Sequence, residues 1–354
     1  MTQDLPEVTV RPPRAQRPVR VTITDVGAAA GVSPATVSRV LNGTAKVDPA
    51  LADRVNSAVR ELGYRPNAAA QGLARGEWGT IGVLVPDLSN PYFPDVLKGV
   101  SAVARTHGRR MMVMESDEDP SAERELVEDL MRSCDGVLLC SPRMDRTEIA
   151  ELTSRDHPVV LVNRVVPGLT IPSISVDFVG AMTMVCGHLA QLGHRKVAYL
   201  SGPAASWANS ERVRAFDTAK AFGLEITVVP CGSTSEHGYE AIGDVLRSEV
   251  TAVCGYNDLI TLGALARMRE LGVRVPRDMT MIGFDDISLD RVTHTNLTTV
   301  AVPREELGRL GGEMLERLMT VGQDSEPRYA RMELRVRDTS AAPRTTPRLN
   351  LPEQ

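Results

Sequence analysis

The chain has 354 residues, 42% of them hydrophobic and 24% charged, with a formal net charge of −5. This is ordinary for a soluble globular protein and longer than one core, which rarely exceeds roughly 250–300 residues. The longest apolar runs, such as Ile81–Pro86 and Val159–Val162, fall far short of the ~20 residues a membrane helix needs. The polar start has no signal-peptide core, so a cytoplasmic protein with no membrane partner is expected. The five cysteines form no Cys-x-x-Cys pair, and the six histidines show no ligand or triad spacing. That pattern points to inert buried thiols, with no metal, no cofactor and no enzyme chemistry. The charge is unevenly divided. Residues 1–76 carry ten basic and six acidic side chains, a net +4, which leaves −9 on the remainder. A basic module on an acidic body suits a small nucleic-acid-binding head on a larger domain that does not touch phosphate.

Residues 1–20 hold four prolines and four arginines without apolar periodicity, and read as a disordered basic tail. Residues 21–63 read as three short helices. Thr22 and Asp25 start the first as a capping box, Val26 and Ala29 share its inner face, and Gly31 ends it. Ser33 caps the second, with Pro34 in the first helical position. Val37, Val40 and Leu41 face inward, and Asn42-Gly43 makes the stop. The third, about Pro49–Leu62, buries Leu51, Val55, Val59 and Leu62. Residues 64–76 are Ala-rich and too short for a stable isolated helix, as suits a linker that becomes helical only with partners.

From Thr80 the pattern changes to strand–helix alternation. Strands are expected at Ile81–Pro86, Arg110–Glu115, Gly136–Cys140, Val159–Asn163, Ile174–Asp177, Val197–Ser201, Ile226–Pro230, Ala252–Tyr256 and Met281–Phe284. Helical segments are expected at 94–107, 121–133, 179–192, 209–222 and 257–271. This predicts an α/β core of two doubly wound parallel sheets, with ligand at the carboxyl ends of the strands. The core spans 77–340, with an N-lobe of about 79–177 and 301–325 and a C-lobe of about 178–298 and 326–340; residues 341–354 are a disordered tail.

The segment Ile23–Gly43 carries the sharpest signal: a helix, a tight Ala-Gly-Val turn, and a second helix with small polar residues outside. A recognition helix needs such a surface, because its first turn must lie in the major groove. Ser33, Thr36 and Ser38 can donate to phosphates, Arg39 can read a guanine edge bidentately, and Ala35 can touch a thymine methyl beside Pro34. Thr22, Asn42 and Tyr64 complete the candidate contacts on the headpiece.

From Val21 to Asp338 the chain resembles the lactose-repressor/purine-repressor (LacI/GalR) family. Four groups carry the likeness: the headpiece; Tyr64-Arg-Pro-Asn-Ala-Ala-Ala-Gln-Gly-Leu73; Ile81-Gly-Val-Leu-Val-Pro-Asp-Leu-Ser-Asn90-Pro-Tyr-Phe93; and Gly283-Phe-Asp-Asp286 followed by Leu297-Thr-Thr-Val. The resemblance implies a helix-turn-helix headpiece on a two-lobed, periplasmic-binding-protein-like core. It implies a homodimeric transcriptional repressor of a pseudo-palindromic operator, controlled allosterically by a small-molecule effector such as a sugar. It further implies a hinge helix over 64–76 whose Leu73 wedges the minor groove, with Asn67 and Gln71 nearby. In the core it implies an effector cleft formed by Asn90, Tyr92, Phe93, Trp207, Arg212, Asn257 and Asp285. Acid, arginine and amide groups with aromatic walls suit a polyhydroxylated ring. Other roles stay open for three of these residues: a core contact for Leu73, a salt bridge within the C-lobe for Arg212, and a cap on the turn at Asp286 for Asp285.

The chain departs from the family pattern in places. Gly27 sits inside the first helix, where Ala is usual, at a cost of roughly 0.5–1 kcal/mol. The loop Ala204–Ala208 lacks the arginine of purine-binding members, which argues against a purine. The tail has no leucine heptad, so a tail-driven tetramer is not expected. The competing readings are an enzyme and a sugar-binding transport or sensor protein without DNA function. Salt-dependent binding to duplex DNA separates a regulator from both.

Overall fold

The structure, a computed structural model, describes residues 21–42, 47–64, 78–288, 296–322 and 327–344. The hinge positions Asn67, Gln71 and Leu73, the tail 1–20, residues 345–354 and the side chain of Asn42 lie outside the described residues. The chain divides into two compact units, Met1–Gly76 and Glu77–Gln354.

In the first unit, α1 (Ile23–Ala30), α2 (Pro34–Asn42) and α3 (Pro49–Glu61) close around Val26, Ala30, Val37, Val55 and Ala58. Thr22 and Asp25 form the reciprocal capping box, and Gly31 ends α1 in the left-handed conformation that favours glycine. Two core assignments shift by one residue or more. Ala30, not Ala29, joins Val26 inside, and Leu62 is 37% exposed at the end of α3 while Ala58 takes the inner position. The turn after α1 also explains Gly27: a Cβ there would lie 2.9 Å from the Val32 carbonyl oxygen. The helix-propensity cost admits the close turn–helix approach.

The second unit holds two six-stranded sheets. The first comprises β1 (Thr80–Val85), β2 (Arg110–Glu115), β3 (Gly136–Cys140), β4 (Val159–Val162) and β5 (Ser173–Val176), with β11 (Arg328–Ala330). The second comprises β6 (Lys196–Ser201), β7 (Glu225–Pro230), β8 (Ala252–Gly255), β9 (Thr280–Asp285) and β10 (Thr298–Ala301), with β12 (Glu333–Arg335). The strand orders are β11-β5-β4-β3-β1-β2 and β12-β10-β9-β8-β6-β7, so the lobes repeat one doubly wound plan. β1 and β3 are buried throughout, as are β4, β5 and β8 to β10, because helices cover both faces; the edge strands β2 and β7 are mostly exposed.

The short strands β11 and β12 correct the expected lobe boundary. β11 pairs with β5 in the N-lobe, and only β12 pairs, antiparallel, with β10 in the C-lobe. The chain therefore returns to the C-lobe at about 331 rather than 326. The tail boundary shifts as well. Ala341 accepts hydrogen bonds from His194 and Thr280, and Arg344 donates to the carbonyls of Asp278 and Val250, so residues 341–344 belong to the C-lobe.

The covering helices are α4 (Tyr92–Thr106), α5 (Pro120–Ser133), α6 (Arg146–Thr153), α7 (Phe178–Leu192), α8 (Trp207–Ala215), α9 (Ser235–Leu246), α10 (Asp258–Glu270) and α11 (Arg304–Val321). The segment expected at 209–222 is α8 followed by a 3-10 turn over Phe216–Phe222. No helix among the described residues is long and apolar enough to cross a membrane. All five thiols are free, and burial pushes Cys134, Cys186 and Cys231 up to about 11 and Cys140 to about 12.

One helix pair in each lobe meets backbone to backbone. A Cβ on Gly308 of α11 would lie 1.9 Å from the Val96 carbonyl oxygen of α4, and one on Gly263 of α10 would lie 1.8 Å from that of Ser235 on α9. Gly308→Ala is therefore expected to destabilise the core by at least about 1–3 kcal/mol, because the obstruction is backbone and cannot rotate away. Gly243→Ala, with nothing within 4 Å of its Cβ position, is expected to be neutral or stabilising by roughly 0.5–1 kcal/mol. Urea unfolding of the two variants checks both.

Candidate DNA-reading face and effector cleft

On the headpiece, Thr22, Ser33, Pro34, Ala35 and Arg39 are exposed, and Thr36 and Ser38 are half-buried. Thr22 spends its side chain on the α1 cap, and the Ser33 hydroxyl accepts from the Thr36 backbone N–H at 3.2 Å while sharing a 2.9 Å bond with the Thr36 hydroxyl. Tyr64 packs half-buried against the helical core. α2 therefore presents a small-residue N-terminal turn with Arg39 beyond it. That shape lets backbone N–H groups approach an anion closely.

In the second unit, Asn90, Tyr92, Phe93, Arg212, Asn257 and Asp285 line one small cavity of about 20 Å³ between the sheets. That is little more than the roughly 10–15 Å³ one water requires. Six further residues complete its wall: Glu118, Ser141, Arg143, Asn163, Ser233 and Tyr256. Most stand just beyond a strand carboxyl end: Glu118 after β2, Ser141 after β3, Asn163 after β4, Tyr256 after β8, and Asp285 as the last residue of β9. Backbone strain collects there. Six described non-glycine residues have positive φ, and four of them (Glu118, Ser141, Asn163 and Asp285) line the cavity. Such conformations cost on the order of 1 kcal/mol or more each and concentrate where the chain must aim a side chain.

Arg212 is buried. Its guanidinium lies 3.6 Å from the ring centroid of Phe284, 4.7 Å from that of Tyr256 and 4.9 Å from that of Phe178, and it donates to the Tyr256 carbonyl. Aromatic faces and a carbonyl, rather than a C-lobe salt bridge, hold this cation. Burial pushes the Asp285 carboxyl up to about 8, with Arg212 and Arg304 opposing the rise and Asp258 adding to it. The turn after Asp285 is held instead by Asp258, whose carboxylate accepts from the Ile287 N–H at 2.9 Å. Arg143 grips Glu118 with two N–H groups, the Nη2 bond at 2.9 Å. Asn257 caps α10 by accepting from Ile260 and donates to the Ser233 carbonyl, both at 2.8 Å.

Three buried polar atoms of the wall have no hydrogen-bond partner among the described residues: the Tyr92 hydroxyl, Asn163 Oδ1 and Arg212 Nε. They belong to residues from both lobes that line the cavity. No metal-binding cluster of His, Cys, Asp or Glu occurs among the described residues.

The family model for periplasmic binding proteins and the sugar-binding domain of the LacI family matches residues 78–334, and that for bacterial regulatory proteins of the lacI family matches 22–67. The chain belongs to the LacI family. It is a DNA-binding transcriptional regulator and not an enzyme. It is 34% identical to the transcriptional regulator GalS of Salmonella typhimurium over 83% of this chain and 88% of that one. It is 31% identical to the repressor CytR of Escherichia coli over 81% and 86%. Among solved structures, the lac repressor dimer bound to operator and the anti-inducer ONPF superposes with a TM-score of 0.81 at 25% identity, covering 92% of this chain and all of that one. A CelR–cellobiose complex superposes at 0.67 and 28%, covering 91% and all of that chain.

Within this LacI-family core, one expected cleft residue is misplaced: Trp207 does not line the cavity. It is half-buried, meets Phe178 edge-to-face at 5.7 Å, and lines an outer pocket with Asp177, Glu211, Arg214 and Tyr329. Its neighbour Phe178 also packs against Arg212, so the indole ring lies close to the cavity wall without joining it. The six cleft residues that sequence reasoning misses carry one usable signal, their position close after strand ends. Removing an unpaired buried hydroxyl relieves its desolvation cost, so Tyr92→Phe is expected to stabilise the free protein by about 1 kcal/mol; thermal unfolding at fixed pH measures it.

Proposed function

We propose that the chain acts in the cytoplasm as a homodimer on a pseudo-palindromic operator, with α2 in the major groove and a neutral polyhydroxylated ring as effector. Arg39 reads a base edge, and Ser33, Thr36, Ser38 and the α2 N-terminus hold phosphates, with Thr22, Pro34, Ala35, Asn42 and Tyr64 at the margin. Residues 64–76 pair with their dimer mate as hinge helices, Leu73 entering the minor groove beside Asn67 and Gln71. Effector and operator affinities are linked by a reciprocal coupling free energy, typically about 1–3 kcal/mol.

The observation that carries the effector reading is a cavity wall built from both lobes whose residues include three with unpartnered buried polar atoms, Tyr92 Oη, Asn163 Oδ1 and Arg212 Nε. Buried polar groups of this kind call for a ligand rich in hydroxyls that can both donate and accept. Above about pH 8, where Asp285 is ionised, the acids Glu118 and Asp285 balance Arg143 and Arg212, which favours a neutral ligand there. A sugar phosphate would leave its charge uncompensated in a buried site. The sugar complex of CelR supports the same class of ligand. A ring of that size requires the two lobes to part, since the cavity holds about 20 Å³.

Four outcomes test this reading. Thermal shift against cellobiose, D-ribose and their phosphates should give stabilisation by neutral sugars alone, and stabilisation by the phosphates alone would overturn neutrality. Asp285→Asn should abolish effector response while leaving operator affinity intact. Because Asp285 must be a carboxylate to accept two hydroxyls, effector affinity should climb by up to about tenfold per pH unit and level off above pH 8; a flat profile from pH 6 to 9 counts against the role. On DNA, Arg39→Ala should cost about 1–3 kcal/mol on the operator and far less on unrelated duplex, as read by fluorescence anisotropy at fixed salt.

A further inference from the structure

We propose that Arg304 is the positioning residue of the cleft, tying the backbone of Asp285 on the C-lobe to Asp95 on the N-lobe. The inference rests on the effector role proposed above for Asp285. Arg304 is the first residue of α11, on the segment that crosses from β10 back into the N-lobe. Its side chain is only 11% exposed. Nη1 donates to the Asp285 carbonyl, which Val302 also approaches through its N–H at 3.4 Å. Nε and Nη2 donate to a single oxygen of Asp95 at 3.2 and 3.0 Å. Asp95 lies in the first turn of α4, next to Tyr92 and Phe93 in the wall of the cleft, and its other oxygen accepts from Lys98 at 2.7 Å.

One guanidinium therefore connects the two moving parts whose approach shapes the cavity. Asp285 has φ +113, a conformation that a non-glycine residue keeps only when its surroundings fix it. The Arg304–carbonyl hydrogen bond joins the β10 pairing at Ala301 and the Val302 N–H in holding this backbone. Arg304 also acts through space. The charged and titratable groups facing the Asp285 carboxyl are Arg212 from α8, Asp258 at the start of α10, Tyr92 from α4 and Arg304 from α11. Arg212 and Arg304 favour its ionised form; Asp258 and burial oppose it. Arg212 is already committed to three rings and a carbonyl, which leaves Arg304 as the cation that joins this acid to the opposite lobe.

The test needs no effector. In full-length protein labelled with 13C-aspartate, the Asp285 carboxyl signal is assigned by its loss in Asp285→Asn and titrated. Arg304→Met is expected to move the midpoint upward by about half a pH unit or more, and Arg304→Lys to restore most of that shift. Hydrogen exchange of 92–97 and 285–287 should be faster in both variants, because lysine keeps the charge but lacks the planar guanidinium fork that holds both contacts in fixed geometry. Asp95→Asn should accelerate the same amides, which gives a second route if Arg304→Met folds poorly. An unchanged midpoint together with unchanged exchange in Arg304→Met overturns the proposal. A normal titration shift in a protein whose Asp285→Asn variant still responds to sugars would instead sink the effector role and leave the positioning contact standing.

Discussion

Closing two sheets over a cavity that still contains charge is the constraint on which the second unit depends. An isolated guanidinium taken out of water carries a desolvation penalty of several kcal/mol. Here Arg212 meets it with the π-faces of Phe284, Tyr256 and Phe178 and one carbonyl, an arrangement that holds the cation without a carboxylate partner. Among the described residues no carboxylate hydrogen-bonds Arg212, so the Asp285 carboxyl, whose ionised form Arg212 favours, remains for a ligand. The aromatic residues that surround Arg212 come from β9, from the loop after β8 and from the start of α7. The cleft chemistry is thus inseparable from the packing of the C-lobe.

The architecture of both units is legible in the sequence where the physics is local and repetitive. Glycine at 31, Pro34 after Ser33 and the Thr22–Asp25 pair specify the helix boundaries of the headpiece, and β-branched runs such as Val159–Val162 can only be buried strands. Legibility ends where tertiary geometry decides. β11 and β12 are three residues each and carry Arg328, Tyr329, Glu333 and Arg335, so no hydrophobic pattern separates them from loop, and the third lobe crossing is placed about five residues early. In the headpiece, Ala29 and Ala30 are chemically identical, so only the rotation of α1 against α3 selects the inner one. For the cleft, chemistry-bearing residues with strong identities, Arg212, Asp285, Asn90 and Tyr92, are found from sequence, whereas Ser141 and Asn163 are found only once their strands end. Trp207 fails for the opposite reason: a rare residue attracts a role, yet it packs on Phe178 and lines an outer pocket rather than the cavity.

The lobes are stiff bodies joined by thin connections. Glycine contacts between α4 and α11 in one lobe, and α9 and α10 in the other, bring helix backbones together so closely that neither pair can slide without collision. The chain passes between the two sheets at the segments around Asp177, Val302 and Met332. The strained Glu118 and Asn163 line the cavity from the N-lobe and the strained Asp285 lines it from the C-lobe.

The threefold passage of the chain between lobes has a consequence for how the protein can be divided. A fragment ending at Val176 would lack α11 and β11 and leave Leu138, Val162 and Ile174 uncovered where Gly311 packs on them. A fragment beginning at Phe178 would carry those two elements with no sheet to receive them. Neither half is an autonomous folding unit in its natural order; separate lobes would have to be made by rewiring the connectivity, with 304–330 joined to the end of β5 and β12 spliced directly behind β10.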